Sequence, residues 1–305
     1  MEFLMQEDNT RSGVWFVLMA AVLWGTTGTS QAFAPAGFDP MVIGTLRLAL
    51  GGGAMLLMVV LRSGTSQLRG WPLKATLVAA VFTALYQACF FAGVAKTGVA
   101  VGTIVGIGSA PVAGGVLGYL FRNERPGRPW FVATALAICG CVVLTLSSGG
   151  DVSIDPVGVA LAIGAGISYA AYTLVIKGLL EKHEPDAVIA VIFCIGALML
   201  APLLIGRDIA WLAAPRSIAV ILHLGLVTAA LAYWFFVRGL QRVQVATAVT
   251  LSLAEPLTAG LLGFLVLGEH LNPLSFAGIG LIFSGLAVLT FVGRSVPDTS
   301  AEFGG

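Results

Sequence analysis

Two charged side chains of this 305-residue chain stand where charge is costly. Glu255 precedes Pro256 in the middle of VQVATAVTLSLAEPLTAGLLGFLVLGE, residues 243–269, and Arg47 stands about seven residues into the apolar run that starts at Pro40. A charge at bilayer depth costs roughly 2.5–3.5 kcal/mol on insertion scales, and chains keep one where it faces a partner or a wet cavity. Glu255 therefore reads as a ligand for a cationic group or as a proton site, with a helix-packing acid paired to Arg47 as the alternative. Arg47 is too deep to reach the interface easily and demands an acid, a carbonyl or a ligand carboxylate. Pro256 removes a backbone bond one turn back, which frees a carbonyl and makes a hinge. Pro111 is its counterpart in an earlier run.

Aromatic rings with polar handles form the second set. Trp24 and Thr27 lie three apart in the first apolar run, and Tyr169 and Tyr172 hold the equivalent positions in the sixth. Residues three apart share a helix face. Two such faces suit a flat or apolar substrate, and packing between helices is the competing reading. Tyr86, Gln87 and Tyr233 are further polar candidates in the third and eighth runs. Trp71, Trp130 and Trp211 sit at run ends, where an interfacial aromatic belt is expected.

Catalytic and cofactor chemistry find no such footing. His183-Glu184 runs straight into Pro185, so no His-Glu-x-x-His exists, and Gly108-Ser109 has no histidine on a facing run. No glycine-rich loop followed by lysine is present, so the chain has no nucleotide motif, and neither a cofactor nor an enzymatic activity is expected. Cys89, Cys139, Cys141 and Cys194 all lie within apolar runs and read as small hydrophobes, not metal ligands. With a net charge of +1 and no basic block, nucleic acid is not an expected partner.

The elements that must carry these residues follow from composition. The chain is 58% hydrophobic and 10% charged, against about 25% charged in soluble domains. Ten apolar runs, about 13–33, 40–62, 72–94, 98–121, 129–147, 156–178, 186–205, 217–237, 243–267 and 273–293, are each long enough to span a bilayer as a helix and too long for barrel strands. No cleavable signal precedes the first run, so it is expected to remain as a span. An even number of spans puts both termini on one side. On that side fall Arg11, Arg62, Arg69, Lys74, Arg122, Arg125, Arg128, Lys177, Lys182, Arg238, Arg242 and Arg294, against Lys96, Arg207 and Arg216 on the other. The positive-inside rule then places both termini in the cytoplasm.

A shift of 145 positions superimposes the chain on itself. Gly13 meets Gly158, Pro40 meets Pro185, Thr83 meets Thr228, Pro111 meets Pro256, Gly140 meets Gly285 and Glu124 meets Glu269. Glu255 meets Ala110, which stands on a ladder of small residues with Gly102, Gly106, Gly114 and Gly118, the kind that brings helices into close contact. Glu124, between Arg122 and Arg125, reads as a loop anchor. Five helices repeated once must insert inverted the second time. The expected fold is thus all-α and membrane-integral, ten transmembrane helices in two inverted five-helix repeats at 13–147 and 156–293, with short cytoplasmic tails at 1–12 and 294–305. Inverted repeats are the mark of alternating-access carriers with a site near the midplane. A bundle that only scaffolds a partner or senses is the reading from another class.

These residues resemble a known family. Trp24-Gly25, Arg47-Leu48-Ala49, the stretch from Ala84 through Pro111 to Glu124, and Leu231-Ala232-Tyr233 through Glu255-Pro256 to Gly268-Glu269 are similar to the drug/metabolite transporter superfamily, in its members built from two EamA units. The resemblance covers about 13–292 and extends, within the superfamily, to exporters of aromatic amino acids of the YddG type. It implies an inner-membrane carrier in the lipid bilayer, exporting amino acids or related metabolites, with a proton as the candidate coupling ion. A carrier for a drug or another organic solute is the alternative. The first copy departs from the pattern with Asn123 where the second has Gly268 and Ala110 where it has Glu255, so a symmetric pair of acids is not expected.

Overall fold

The computed structural model describes residues 2–35, 37–68, 71–147, 155–268, 270 and 272–292, with side chains given except at 2–9, 98–100 and 292. Arg69, Glu269 and the expected tail 294–305 lie outside the described residues. Ten helical segments are long and apolar enough to cross a membrane, and no strand occurs among the described residues. In order they are Thr10–Ala32, Pro40–Ser63, Leu73–Thr97, Val101–Arg122, Arg128–Ser147, Pro156–Leu179, Pro185–Leu204, Pro215–Leu240, Val245–Leu267 and Pro273–Phe291, the first to tenth spans. The first helix begins at Glu2, so residues 2–12 are helical and continuous with the first span.

Local chemistry sets the ends. Pro40, Pro156, Pro185, Pro215 and Pro273 each open a helix, where a missing N–H leaves nothing unsatisfied. Asp39 caps the second span, its Oδ1 accepting from Met41 N at 2.8 Å. Asp155 caps the sixth through Gly158 N and Asn272 caps the tenth through Ser275 N. Burial opposes ionisation of Asp39, yet the Arg207 guanidinium at 2.6 Å and the Met41 and Val42 amides outweigh it and hold the carboxyl below its usual range. Asn123 and Gly268 are register partners and both close a helix in the left-handed conformation, at φ 53° and 71°, their amides bonding Gly118 O and Gly263 O, themselves register partners. Asn is the next-best residue to Gly there, which accounts for the first copy's departure.

The third and fourth spans form one helically assigned stretch, Leu73–Arg122, that doubles back on itself. A methyl on Gly102 would lie 2.9 Å from Val94 Cα, and one on Gly106 would lie 3.7 Å from the Phe90 ring, so the arms are antiparallel neighbours.

Packing shows the two-fold relation that the register predicts. The first span packs on the eighth and ninth; its counterpart, the sixth, packs on the third and fourth. Each repeat thus lends its first helix to the other's bundle. The second span packs on the seventh and the eighth, the seventh on the second and the third, and the fifth and tenth pair with each other. Glycine contacts repeat the symmetry at atomic scale. A methyl on Gly13 would lie 2.6 Å from Arg242 Cβ, and one on Gly158 would strike Thr97, the register partner of Arg242. A methyl on Gly140 would lie 2.6 Å from Ile282 N, and one on Gly285 would lie 3.0 Å from Ala137 N. Helices in lipid have no hydrophobic drive to associate, so this close approach of small residues is what joins them.

The end of the bundle where the chain begins is closed. Leu179, Leu180, Leu240, Val243 and Val245 are buried there. Glu124, in the turn after the fourth span, accepts from Val245 N at 2.7 Å and pairs with Lys177 Nζ at 3.1 Å and Arg122 Nε at 3.3 Å. Lys177 also donates to Val243 O. These bonds tie the bundle of spans three, four and six to that of spans one, eight and nine. Glu124 is therefore an anchor between repeats and not of its own loop alone. At the opposite end the side-chain bonds seen run within pairs: Ser147 with Ser275, Asp39 with Arg207, Thr26 with His223.

Candidate functional site

The ninth span is interrupted halfway. Its helix runs Val245–Leu251, breaks at Ser252-Leu253, and resumes as Ala254–Leu267. Pro256 favours the break, since it lacks an N–H and a proline ring crowds the carbonyl four residues back, here that of Ser252. Around the break Leu253 N bonds Thr250 O and Glu255 N bonds Ser252 O, a tighter pattern than the α-helix. Glu255 lies on the first turn of the second half, where the helix macrodipole favours a carboxylate. Pro111, the register partner, stays inside an uninterrupted helix. The two prolines thus share a position but not a local conformation.

The break opens on a cavity, with Ser252, Leu253 and Glu255 in its wall. Spans one to four and six to nine line it; the fifth and tenth pair stands outside. Of the residues singled out from sequence, Trp24, Arg47, Tyr86, Gln87, Tyr169, Tyr172, Tyr233 and Glu255 are brought together in its wall. Thr27 is not. Its hydroxyl is enclosed in protein with no hydrogen-bond partner among the described residues. Positions three apart are offset by about 60° around a helix, so Trp24 can face the cavity while Thr27 turns from it. Nearby, the ninth span closes on the first, where a methyl on Gly25 would lie 2.8 Å from Glu255 O.

The aromatic wall is built in two halves. Trp24 packs on Tyr233 and Phe236 at 5.0 and 5.1 Å between ring centres, within one bundle. In the other, Tyr86, Tyr169 and Tyr172 group at 5.2–6.1 Å. A hydrogen bond of 2.9 Å between the Tyr172 and Tyr233 hydroxyls links the halves, and the Tyr169 hydroxyl meets Ser252 Oγ at 2.5 Å. The Trp24 indole N–H is buried without a hydrogen-bond partner among the described residues. Trp130, expected at an interfacial belt, is instead buried and donates to Thr250 Oγ1 at 3.0 Å.

Arg47 and Glu255 do not form the ion pair that the packing alternative required: none of the ion pairs among the described residues includes either. Arg47 finds a carbonyl, with Nη2 donating to Thr228 O at 3.2 Å. Thr228 belongs to a π-helical stretch, His223–Leu231, whose wide turns expose carbonyls to side-chain donors; such stretches recur at functional sites.

Sequence reasoning missed Phe90, Phe193 and Ser252, which also line the cavity. Ser252 had a signal, since it lies four residues before Pro256. Phe90 and Phe193 had none, because phenylalanine in an apolar run carries no facing information.

Ten spans in two interlocked inverted repeats, enclosing a polar and aromatic cavity at mid-depth, define a membrane carrier architecture. The chain belongs to the EamA-like transporter family, whose profile matches residues 11–146 and again 156–291. Among its relatives, it is 46% identical to the uncharacterized transporter YwfM of Bacillus subtilis (strain 168), over 94% of this chain and 96% of that one. It is 35% identical to the threonine/homoserine exporter RhtA of Escherichia coli (strain K12) over 54% of this chain and 55% of that one. A crystal structure 20% identical in sequence has the same fold, with a TM-score of 0.81 over 93% of this chain and 98% of that one.

Proposed function

We propose that this transporter exports amino acids and related small metabolites by alternating access, without hydrolysing nucleotide. The observation that carries the reading is the cavity itself: it lies between two bundles that exchange their first helices and is sealed by Glu124 and Lys177 at one end. A rocking of one bundle against the other would transfer that seal to the opposite end. The Lys/Arg bias supports a sealed end that is cytoplasmic, with both termini there and the protein in the inner membrane. Glu255 is the carboxylate in the lining and hence the place for a coupling proton.

Two substrate sets are supported by different observations. The wall of Tyr86, Phe90, Tyr169, Tyr172 and Phe193 favours aromatic or other apolar amino acids, as exporters of the YddG type carry. The partial likeness to a threonine/homoserine exporter favours small hydroxylated ones. Flux from protein-containing liposomes, without ATP, of phenylalanine, tryptophan, threonine, homoserine and an organic cation decides among them. Transport of at least one amino acid is expected, and Trp24→Ala and Tyr169→Ala should slow aromatic substrates more than threonine. No flux of any solute would leave a scaffold or sensor as the reading.

A further inference from the structure

Two lining groups are ionisable side chains of opposite sign, and neither forms an ion pair among the described residues. Arg47 has five N–H donors, and the bond seen uses one of them, on Thr228 O. The Glu255 carboxylate accepts no hydrogen bond among those seen in the described residues; its dipole support comes from the helix it starts. Opposite charges in a low-dielectric cavity attract strongly, so some restraint holds these two apart. The backbones supply it. Around Arg47 the second span is clamped on three sides: methyls on Gly44, Gly51 and Gly52 would lie 3.1 Å from Phe91, 2.6 Å from Ala229 and 2.9 Å from Phe193. Around Glu255 the ninth span is pressed onto Gly25. Neither helix can slide to bring guanidinium and carboxylate together without displacing a close-packed neighbour.

A cation alone in this cavity would satisfy Glu255 and leave Arg47 facing it; an anion alone would do the reverse. A molecule carrying both charges on adjacent carbons answers both. We propose that Arg47 binds the carboxylate and Glu255 the ammonium group of a zwitterionic α-amino acid, so that the pair reads the substrate main chain while the Tyr86–Tyr169 wall receives its side chain. The assignment rests on the carrier reading and narrows it: requirement for both charges is strict, and side-chain choice is looser.

The test uses two sets of solutes that share a side chain: phenylalanine, phenethylamine and 3-phenylpropionate; threonine, 1-amino-2-propanol and 3-hydroxybutyrate. Purified full-length protein is assayed by competition against flux of the labelled amino acid, with protein-free vesicles subtracted, and by ligand-induced rise in melting temperature. In the wild type the amino acid of the transported set should compete at least tenfold better than its amine or its acid. Arg47→Gln should erase the preference over the amine and keep that over the acid; Glu255→Gln should do the opposite. Wild-type protein that accepts the amine or the acid as well as the amino acid would overturn the assignment, and that arm needs no variant. Folded variants that lose all three solutes equally would also overturn it, as would preferences unchanged in both. Absence of flux for every solute is a different result, the failure of the carrier reading itself.

Discussion

Glu124→Ala tests whether the closed end is a gate or permanent glue. The carboxylate holds Lys177 at 3.1 Å, Arg122 at 3.3 Å and the Val245 amide at 2.7 Å, and only 9% of its side chain and 13% of that of Lys177 are exposed. Breaking a buried pair by removing one partner costs about 3–5 kcal/mol. The figure here is smaller, because Lys177 keeps Val243 O and Arg122 keeps Glu181, and both cations retain some water. About 2–3 kcal/mol is reasonable, which is a factor of about 30–150 in an equilibrium constant. If the bonds exist only while this end is closed, that whole factor moves the equilibrium toward the state open there. The probe is Val249→Cys with Cys89, Cys139, Cys141 and Cys194 replaced, since Val249 is 1% exposed beneath Gly114, in the cavity wall on the side of the seal. A membrane-impermeant thiol reagent added at the Glu124 side should label it at least tenfold faster in the Ala variant, with Glu124→Gln intermediate because the amide oxygen can still accept from Val245. A lower melting temperature with unchanged labelling from that side would refute the gate: the cluster would then be equally present in both states.

Two further outcomes are expected. Gly140→Leu should uncouple the fifth and tenth spans, because even a methyl would meet Ile282 N at 2.6 Å and Gly278 O at 2.7 Å. Overpacking of this kind costs about 1–3 kcal/mol or more, so the melting temperature should drop clearly, whereas Gly280→Ala, with nothing within 4 Å, should change it little. Equal melting temperatures would show that the close approach is not what joins the pair. A topology reporter inserted after Arg125 should be active in the cytoplasm; activity only outside the cell would reverse the orientation drawn from the charge bias.

Much of the architecture was legible in the sequence, because in lipid hydropathy along the chain decides which residues cross. Ten spans, their alternation and the 145-residue register all follow from one-dimensional patterns, whereas Asn123 and Gly268, a departure in the sequence, prove to be matching caps only in the structure. The proline at 256 marked the interrupted helix, since a missing N–H and a ring clash act within one turn. Which face of each helix looks inward was another matter. A soluble helix declares its buried face by an apolar stripe, but a span surrounded by lipid and apolar neighbours is greasy all round. Hence Trp24 and Thr27, alike by spacing, part company; Phe90 and Phe193 enter the cavity unannounced; and the exchange of first helices between repeats could not be read at all. Nor could the sequence tell that Arg47 would bond Thr228 O and leave Glu255 apart, or that Glu124 would reach Val245 in the other repeat. Those outcomes depend on distances between backbones, which small residues at Gly25, Gly51 and Gly114 set only once the helices are packed.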